Sequence, residues 1–230
     1  MAFQGYTQQT VDFMWGIRFN NERGWFLEHK DDYINTFLTP TRELGEQVYD
    51  AVHALPDEPL MLKVSRIYRD ARRLFGRGPY KDHLWWCIRT GDKDWTGRPT
   101  FWFELGPDYY SFGLGFWSPA AALMETYRKQ IDAHPEELSK LVRQFNRQSV
   151  FTLDGPEYAR SKGQTSDLLR PWYQKKSLSL RWEGPLDERI FTSALAEDII
   201  AGFKTLIPFY HYFNKLVALT PRQERRGEEA

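Results

Sequence analysis

Apolar residues change their spacing twice along this chain. They recur at helical steps from Trp25 to Leu55, at every second position from Leu62 to Leu114, and at helical steps again from Leu123 to Val217. In the first stretch, Asn20 or Asn21 can cap a helix carrying Trp25, Phe26, His29, Tyr33 and Phe37. Thr39-Pro40 signals the start of a second helix, with Leu44, Val48, Val52 and Leu55 on one face and Pro56 and Pro59 ending it. In the middle stretch, four strands are predicted around Leu62–Tyr68, Leu84–Ile88, Phe101–Leu105 and Tyr110–Leu114. The links GDKDWTGRP and GPD are short and turn-rich, so the later strands are expected to be antiparallel neighbours.

Ser118-Pro119 and His134-Pro135 each open a further helix, the first with Leu123, Tyr127 and Ile131 inward, the second with Leu138, Leu141, Val142 and Phe145. A short strand is predicted at Leu178, Leu180 and Trp182. The last helices carry Ile190, Phe191, Ala194, Leu195 and Ile199, then Phe203, Leu206, Tyr210, Phe213 and Val217, with Pro208 expected to kink or restart the final one. Helices, then strands, then helices make an α+β fold: one domain over residues 1–219, an antiparallel sheet packed with N- and C-terminal helices, and a polar tail at 220–230.

The alternation also separates two faces of the sheet. Leu84, Trp86, Ile88, Phe101, Phe103, Leu105, Phe112 and Leu114 make a plain core face. Trp85, Arg89, Trp102, Glu104 and Tyr109 mix rings and charges on the other. Either the C-terminal helices cover this second face and the charges form its rim, or it is a platform for a ligand.

Composition narrows the partners. Aromatic residues make up 16% of the chain, nine of them Trp, more rings than a core of this size needs to hide completely. Thirty-one basic residues balance thirty-one acidic ones, so no global field draws the protein to nucleic acid or to an anionic membrane. One cysteine, Cys87, excludes internal disulfides and Cys-rich metal sites. MAFQGYTQQTVDF has neither the basic nor the apolar region of a secretion signal, and no apolar run approaches membrane length; a cytoplasmic protein is expected.

Charge is nevertheless uneven. The stretch RIYRDARRLFGRGPYKDH places Arg66, Arg69, Arg72, Arg73, Arg77 and Lys81 together, with Asp70 and Asp82 as the only acids. Guanidinium groups take planar oxyanions in a two-pronged fashion, so clustered arginines suit phosphate or carboxylate. Asp70 is placed to orient an arginine, and Gly76 and Gly78 leave backbone N–H groups accessible before Pro79 returns Tyr80 and Lys81 to the sheet edge. The candidate binding residues are Arg66, Tyr68, Arg69, Asp70, Arg72, Tyr80 and Lys81, with a small anionic ligand as the expected partner. The same arginines could equally form an internally paired network that locks the sheet to the first helices. Single-stranded nucleic acid stacking on Trp85, Trp102 and Tyr109 is a third reading, disfavoured by the neutral net charge.

These segments resemble the domain-of-unknown-function family 2461. FNNERGWFLEHKDDY at 19–33, RIYRDAR followed by PYK, YYSFGLGFWSP at 109–119, SKG at 161–163 and DLLR at 167–170 are similar to its motifs, in order, over residues 10–215. The resemblance implies a single α+β domain and no established activity. It adds Asn21, Trp25, Gly115 and Lys162 as a looser ring around the arginine motif. Arg73, the turn from Leu74 to Gly78, and Ser161 depart from the family pattern, as in a divergent branch.

Other chemistry is sparse. The five histidines are far apart, without metal-ligand spacing, and no metal or cofactor is expected. There is no P-loop, no dinucleotide fingerprint and no nucleophile elbow. If a bond is made or broken, Asp70 or His83 would be the proton acceptor and Tyr80 the donor beside the arginines. Cys87 alternates within a strand and reads as core.

Overall fold

The computed structural model describes residues 2–221 apart from 71, 73 and 75. Four sequential strands, β1 (Leu60–Val64), β2 (Leu84–Thr90), β3 (Pro99–Leu105) and β4 (Tyr110–Phe116), form an antiparallel meander. Beyond it lie β5 (Thr152–Asp154) and β6 (Ser179–Gly184), with β6 beside β4 and β5 at the edge, giving the order β1-β2-β3-β4-β6-β5. The period-two pattern becomes two rows of facing side chains. Trp86, Phe103, Phe112 and Trp182 are paired across one face; Cys87, Trp102, Gly113, Arg181 and Thr152 are paired across the other.

Helices cover the first face. At the N-terminal end are α1 (Gln8–Phe19), α2 (Arg23–Glu28), α3 (Lys30–Asp32) and α4 (Thr39–Val52). After the meander come α5 (Ala121–Ala133), α6 (Pro135–Phe145), α7 (Arg170–Tyr173) and α8 (Ala194–Leu219). From α8, Phe203 packs on Trp86, Phe101 and Phe112, and Tyr210 stacks on Phe101 at 5.3 Å between ring centroids. Each such buried ring contributes roughly 1.5–3 kcal/mol. On α4, a methyl at Gly45 would lie 3.3 Å from Leu62 and Trp86, so the bare residue sets how closely this helix rides on β1 and β2. The architecture is a single α+β domain with helices on both chain-terminal sides of an antiparallel sheet, as its alternation implies.

The helical parts differ in detail from the sequence expectation. Asn20 and Asn21 cap no helix start: Glu22 precedes α2, while Asn20 ends α1, whose buried Thr10, Phe13, Met14 and Ile17 keep the helical i, i+3, i+4, i+7 spacing with a polar Thr at its first place. The helix expected through Trp25 and Phe37 is broken into α2, α3 and a π-helical turn at Tyr33–Leu38 that runs directly into α4. Pro40 explains that turn. In a regular helix its ring would press on the Thr36 carbonyl and leave it without a donor. Here the Thr10 hydroxyl donates to that carbonyl at 2.6 Å. The strand expected to reach Tyr68 stops at Val64, because Ser65 takes over the ladder: its N–H donates to Trp85 O (2.8 Å) and its Oγ accepts from Trp85 N (3.0 Å). α8 runs unbroken past Pro208, and Ile190 sits instead in a separate 3₁₀ turn at Glu188–Phe191. The tail beyond residue 221 lies outside the described residues. Among the described residues no helix is long and apolar enough to cross a membrane, and no group of His, Cys, Asp and Glu could hold a metal ion.

Candidate functional site

The C-terminal helices do not lie on the ring-and-charge face, which corrects the covering arrangement weighed above. Every ring contact between the meander strands and α8 comes from the apolar face. The second face carries a cleft of about 410 Å³, walled by the indoles of Trp85, Trp95, Trp102 and Trp117. Its floor is low where β4 contributes Gly115 between Thr100 of β3 and Ser179 of β6. Across Gly113, the Arg181 guanidinium of β6 reaches to 6.0 Å from the Trp102 ring of β3. Arg181 is paired with Asp154 at 3.4 Å and with Glu183, while its buried Nε has no hydrogen-bond partner among the described residues. That Nε is a donor a ligand oxygen could satisfy.

Cys87 lines the cleft as well, buried enough to push its thiol up to about 11. At neutral pH it is a small apolar wall rather than a nucleophile. Glu104 faces the cleft opposite Trp85 and Ser111 and accepts a hydrogen bond from Tyr109. Burial and this carboxylate both push the Tyr109 hydroxyl well above its usual range, so it stays a donor.

The arginine motif meets one end of this cleft only in part. Lys81 Nζ lies 5.5 Å from the Trp85 ring centroid. Burial pushes its ammonium down to about 8, the positive charges of Arg69 and Arg66 push the same way, and Glu104 opposes them. Arg66, Arg69, Lys81, Trp85 and Glu104 therefore share one electrostatic neighbourhood. Arg66 is exposed and has no ion pair among the described residues. Arg72 turns the other way: it is 88% exposed and pairs with Asp70 at 2.8 Å. Tyr68 is half exposed and bridges to Tyr80, which is buried and stacked on Phe26 at 4.3 Å. Arg73 lies outside the described residues.

Part of the motif is architecture. The Tyr80 carbonyl accepts from both Arg69 Nε (2.8 Å) and Asn21 Nδ2 (2.9 Å), and Tyr80 N donates to Asn21 Oδ1 (2.9 Å). Gly78 makes room for this clamp, since a methyl there would sit 2.2 Å from Asn21 Oδ1. Next along the chain, Asp82 gathers Arg18 from α1 (2.6 Å), His83 (3.0 Å) and Arg69 (3.9 Å). His83 is thus tied to a carboxylate, and the motif joins α1 to the sheet edge. Replacing Arg69 by Met separates the two roles. Asp82 keeps Arg18 and His83, so only the Tyr80 hydrogen bond and a weak ion pair are lost. Urea unfolding is expected to show about 1–2 kcal/mol of destabilisation, whereas collapse of the fold would make Arg69 purely structural.

Two residues grouped with the motif lie apart from it. Trp25 stacks on His29 at 3.9 Å and packs against Phe13 in the N-terminal helices. Lys162 sits over Tyr158 at 4.3 Å, in the connection between β5 and α7. Gly115, by contrast, belongs to the cleft floor. Sequence reasoning missed Arg181, Asp154, Trp95 and Trp117. Arg181 was recoverable, because it alternates with Leu180 and Trp182; nothing local announced β5 and hence Asp154.

No curated protein matches the chain. A family model, however, spans both the motif and the cleft, beginning within α1 and ending within α8: the chain belongs to the DUF2461 family of conserved hypothetical proteins, matched over residues 9–212.

Proposed function

We propose that the protein binds a small ligand with a flat, apolar body and a carboxylate or phosphate group in the open cleft of the sheet. The body lies against Trp102 and Trp85, and the anionic group meets Lys81, Arg69 and Arg66 at the cleft's end. One observation carries this: a cleft of about 410 Å³ walled by indoles sits on the bare face, beside a half-buried lysine. Rings give the ligand a surface to stack on, and a few polar groups orient it, as in small-molecule sites generally. The reading is one of binding. The Asn21–Tyr80–Arg69 clamp favours a second, structural role for the inner arginine, and the two roles are compatible. A cytoplasmic setting fits a chain whose one cysteine is free and buried.

The test is a thermal-shift and tryptophan-fluorescence screen of aromatic carboxylates, nucleotides and phosphate esters against the wild type, Trp102→Ala and Lys81→Met. A ligand at a hundred times its Kd is expected to stabilise the wild type by about 2.7 kcal/mol, and Trp102→Ala to lose that gain. Binding should weaken as pH rises through about 8, because the free protein then loses the Lys81 charge and must take up a proton to bind an anion. Lys81→Met should bind weakly at every pH without that slope. No stabilisation by any member of the set, or equal binding by Trp102→Ala, overturns the proposal. Salt-sensitive binding of oligonucleotides alone would replace it with the single-strand reading.

A further inference from the structure

Away from the cleft, three cations surround one ring. Lys162 Nζ is 4.3 Å, Arg128 Cζ 5.1 Å and Lys176 Nζ 5.6 Å from the ring centroid of Tyr158. All three distances run to one point, so no two charges are more than about 11 Å apart, close to the screening length of physiological salt (about 8 Å). A tyrosine ring attracts each cation weakly and does not neutralise their mutual repulsion.

Of the acids close by in sequence, three are ion-paired with other cations, though Glu125 also feels the charge of Arg128, and the fourth, Asp132, meets a hydroxyl. Glu157 holds Lys175 at 2.9 Å, Asp167 holds Arg170 at 2.6 Å, Glu125 holds Lys129 at 2.8 Å, and Asp132 accepts from the Tyr173 hydroxyl at 3.1 Å. Among the described residues, Arg128, Lys162 and Lys176 have no ion pair, and Arg128 Nη1 is buried without a hydrogen-bond partner. An unpaired, buried guanidinium N–H is costly unless something accepts from it.

The scaffold around them is held in place. Tyr158 N donates to Gln174 O (2.9 Å) and Lys176 N to Pro156 O (2.7 Å), so the segments bearing Tyr158 and Lys176 are clamped side by side at the Glu157–Lys175 bridge. The Gln174 side chain takes the Lys162 N–H (3.3 Å) and donates to Ser161 Oγ (3.2 Å), fixing the turn that presents Lys162. Gly163 is needed there, since a methyl would stand 2.8 Å from the Tyr173 hydroxyl. On the other side of the turn, a hollow of about 500 Å³ lined by Glu157, Tyr158, Gly163, Arg170 and Gln174, and by none of the three cations, shares no residue with the sheet cleft.

We propose that Arg128, Lys162 and Lys176, gathered around Tyr158, form a second site for a compact phosphate-bearing small molecule carrying at least two negative charges. A phosphate group offers about two negative charges and three acceptor oxygens, matching three cationic donors, where a single carboxylate would leave the cluster positive. The cations sit over the Tyr158 ring, so the site selects charge rather than a stacked base.

The probe is inorganic pyrophosphate, titrated calorimetrically at low salt into wild type, Lys162→Gln/Lys176→Gln, Arg128→Gln and Lys81→Met. Both lysines are exposed, so the double variant is expected to fold. Pyrophosphate has no flat apolar body to lie on Trp85 and Trp102, so the heat it gives at the second site should survive Lys81→Met, while the double variant binds more than about tenfold more weakly and Arg128→Gln is also impaired. If wild type shows no binding at millimolar pyrophosphate, or the double variant binds as well as wild type, the site does not exist. Loss on Lys81→Met alone would place the phosphate at the sheet cleft and equally overturn this assignment. The sheet-cleft reading can fail in its own screen without touching this result.

Discussion

Gly113→Ala is expected to unfold the protein, or to cost about 4 kcal/mol or more in urea unfolding, the range reserved for backbone conflict inside a core. The methyl would stand 2.1 Å from the Leu180 carbonyl oxygen and 3.1 Å from its carbon. Those atoms belong to β6, which is paired to β4 through Gly113 and Arg181, and they cannot rotate away as a side chain could. Relief requires β6 to separate from β4, which breaks the ladder that holds β5 and β6 to the sheet. Gly24→Ala is the matched control. Nothing lies within 4 Å of a methyl at that position in α2, so it should be neutral or stabilising by about 0.5–1 kcal/mol. Equal stability of the two variants would show that β4 and β6 are not so closely paired.

The second large effect is at Asp82. Its carboxylate accepts from Arg18 Nε at 2.6 Å, meets His83 Nδ1 at 3.0 Å and stands 3.9 Å from Arg69, tying α1 to the start of β2. Asp82→Asn removes the charge these partners share and should cost about 2–3 kcal/mol at neutral pH, with solvent screening keeping it below the loss from a fully buried pair. Hydrogen bonds accepted from His83 and from Arg18 hold this carboxyl well below the ordinary aspartate range, against the effect of burial. The folded state therefore binds fewer protons than the unfolded one as pH falls below about 4, the unfolded value. Its stabilisation is complete above that pH and fades as acid is added. Asp82→Asn should flatten this acid limb in pH-dependent unfolding; an unchanged slope would mean that other carboxylates carry the acid sensitivity.

The meander was readable because its strands alternate large apolar rings with polar residues, and a period of two survives any context that keeps one face buried. The same parity separated Trp85, Trp102 and Glu104 from the core, and these residues wall the cleft. Arg181 joins them only because β6 returns beside β4 after more than sixty residues, a pairing that local periodicity does not record. In the N-terminal third, Thr39-Pro40 looks like a helix start; only the distant Thr10 hydroxyl on the Thr36 carbonyl explains why the helix passes through it. The arginine motif shows the limit most clearly. Residues adjacent in sequence point apart, Arg72 toward Asp70 and solvent, Arg69 toward Tyr80 and Asp82. Lys162, grouped with them, stands instead with Arg128 and Lys176.

The order in which the chain is made has a consequence for how this fold is reached. β1 to β4 can zip together from neighbouring segments, yet much of the layer that shields their greasy side is α8, the last of the described helices to be translated. A ribosome adding about 5–20 residues per second leaves that side bare for several seconds, long enough for a nascent chain to be captured by a chaperone or by another copy. Chains interrupted before Phe203 and Tyr210 should therefore precipitate, and the full chain should stay in solution.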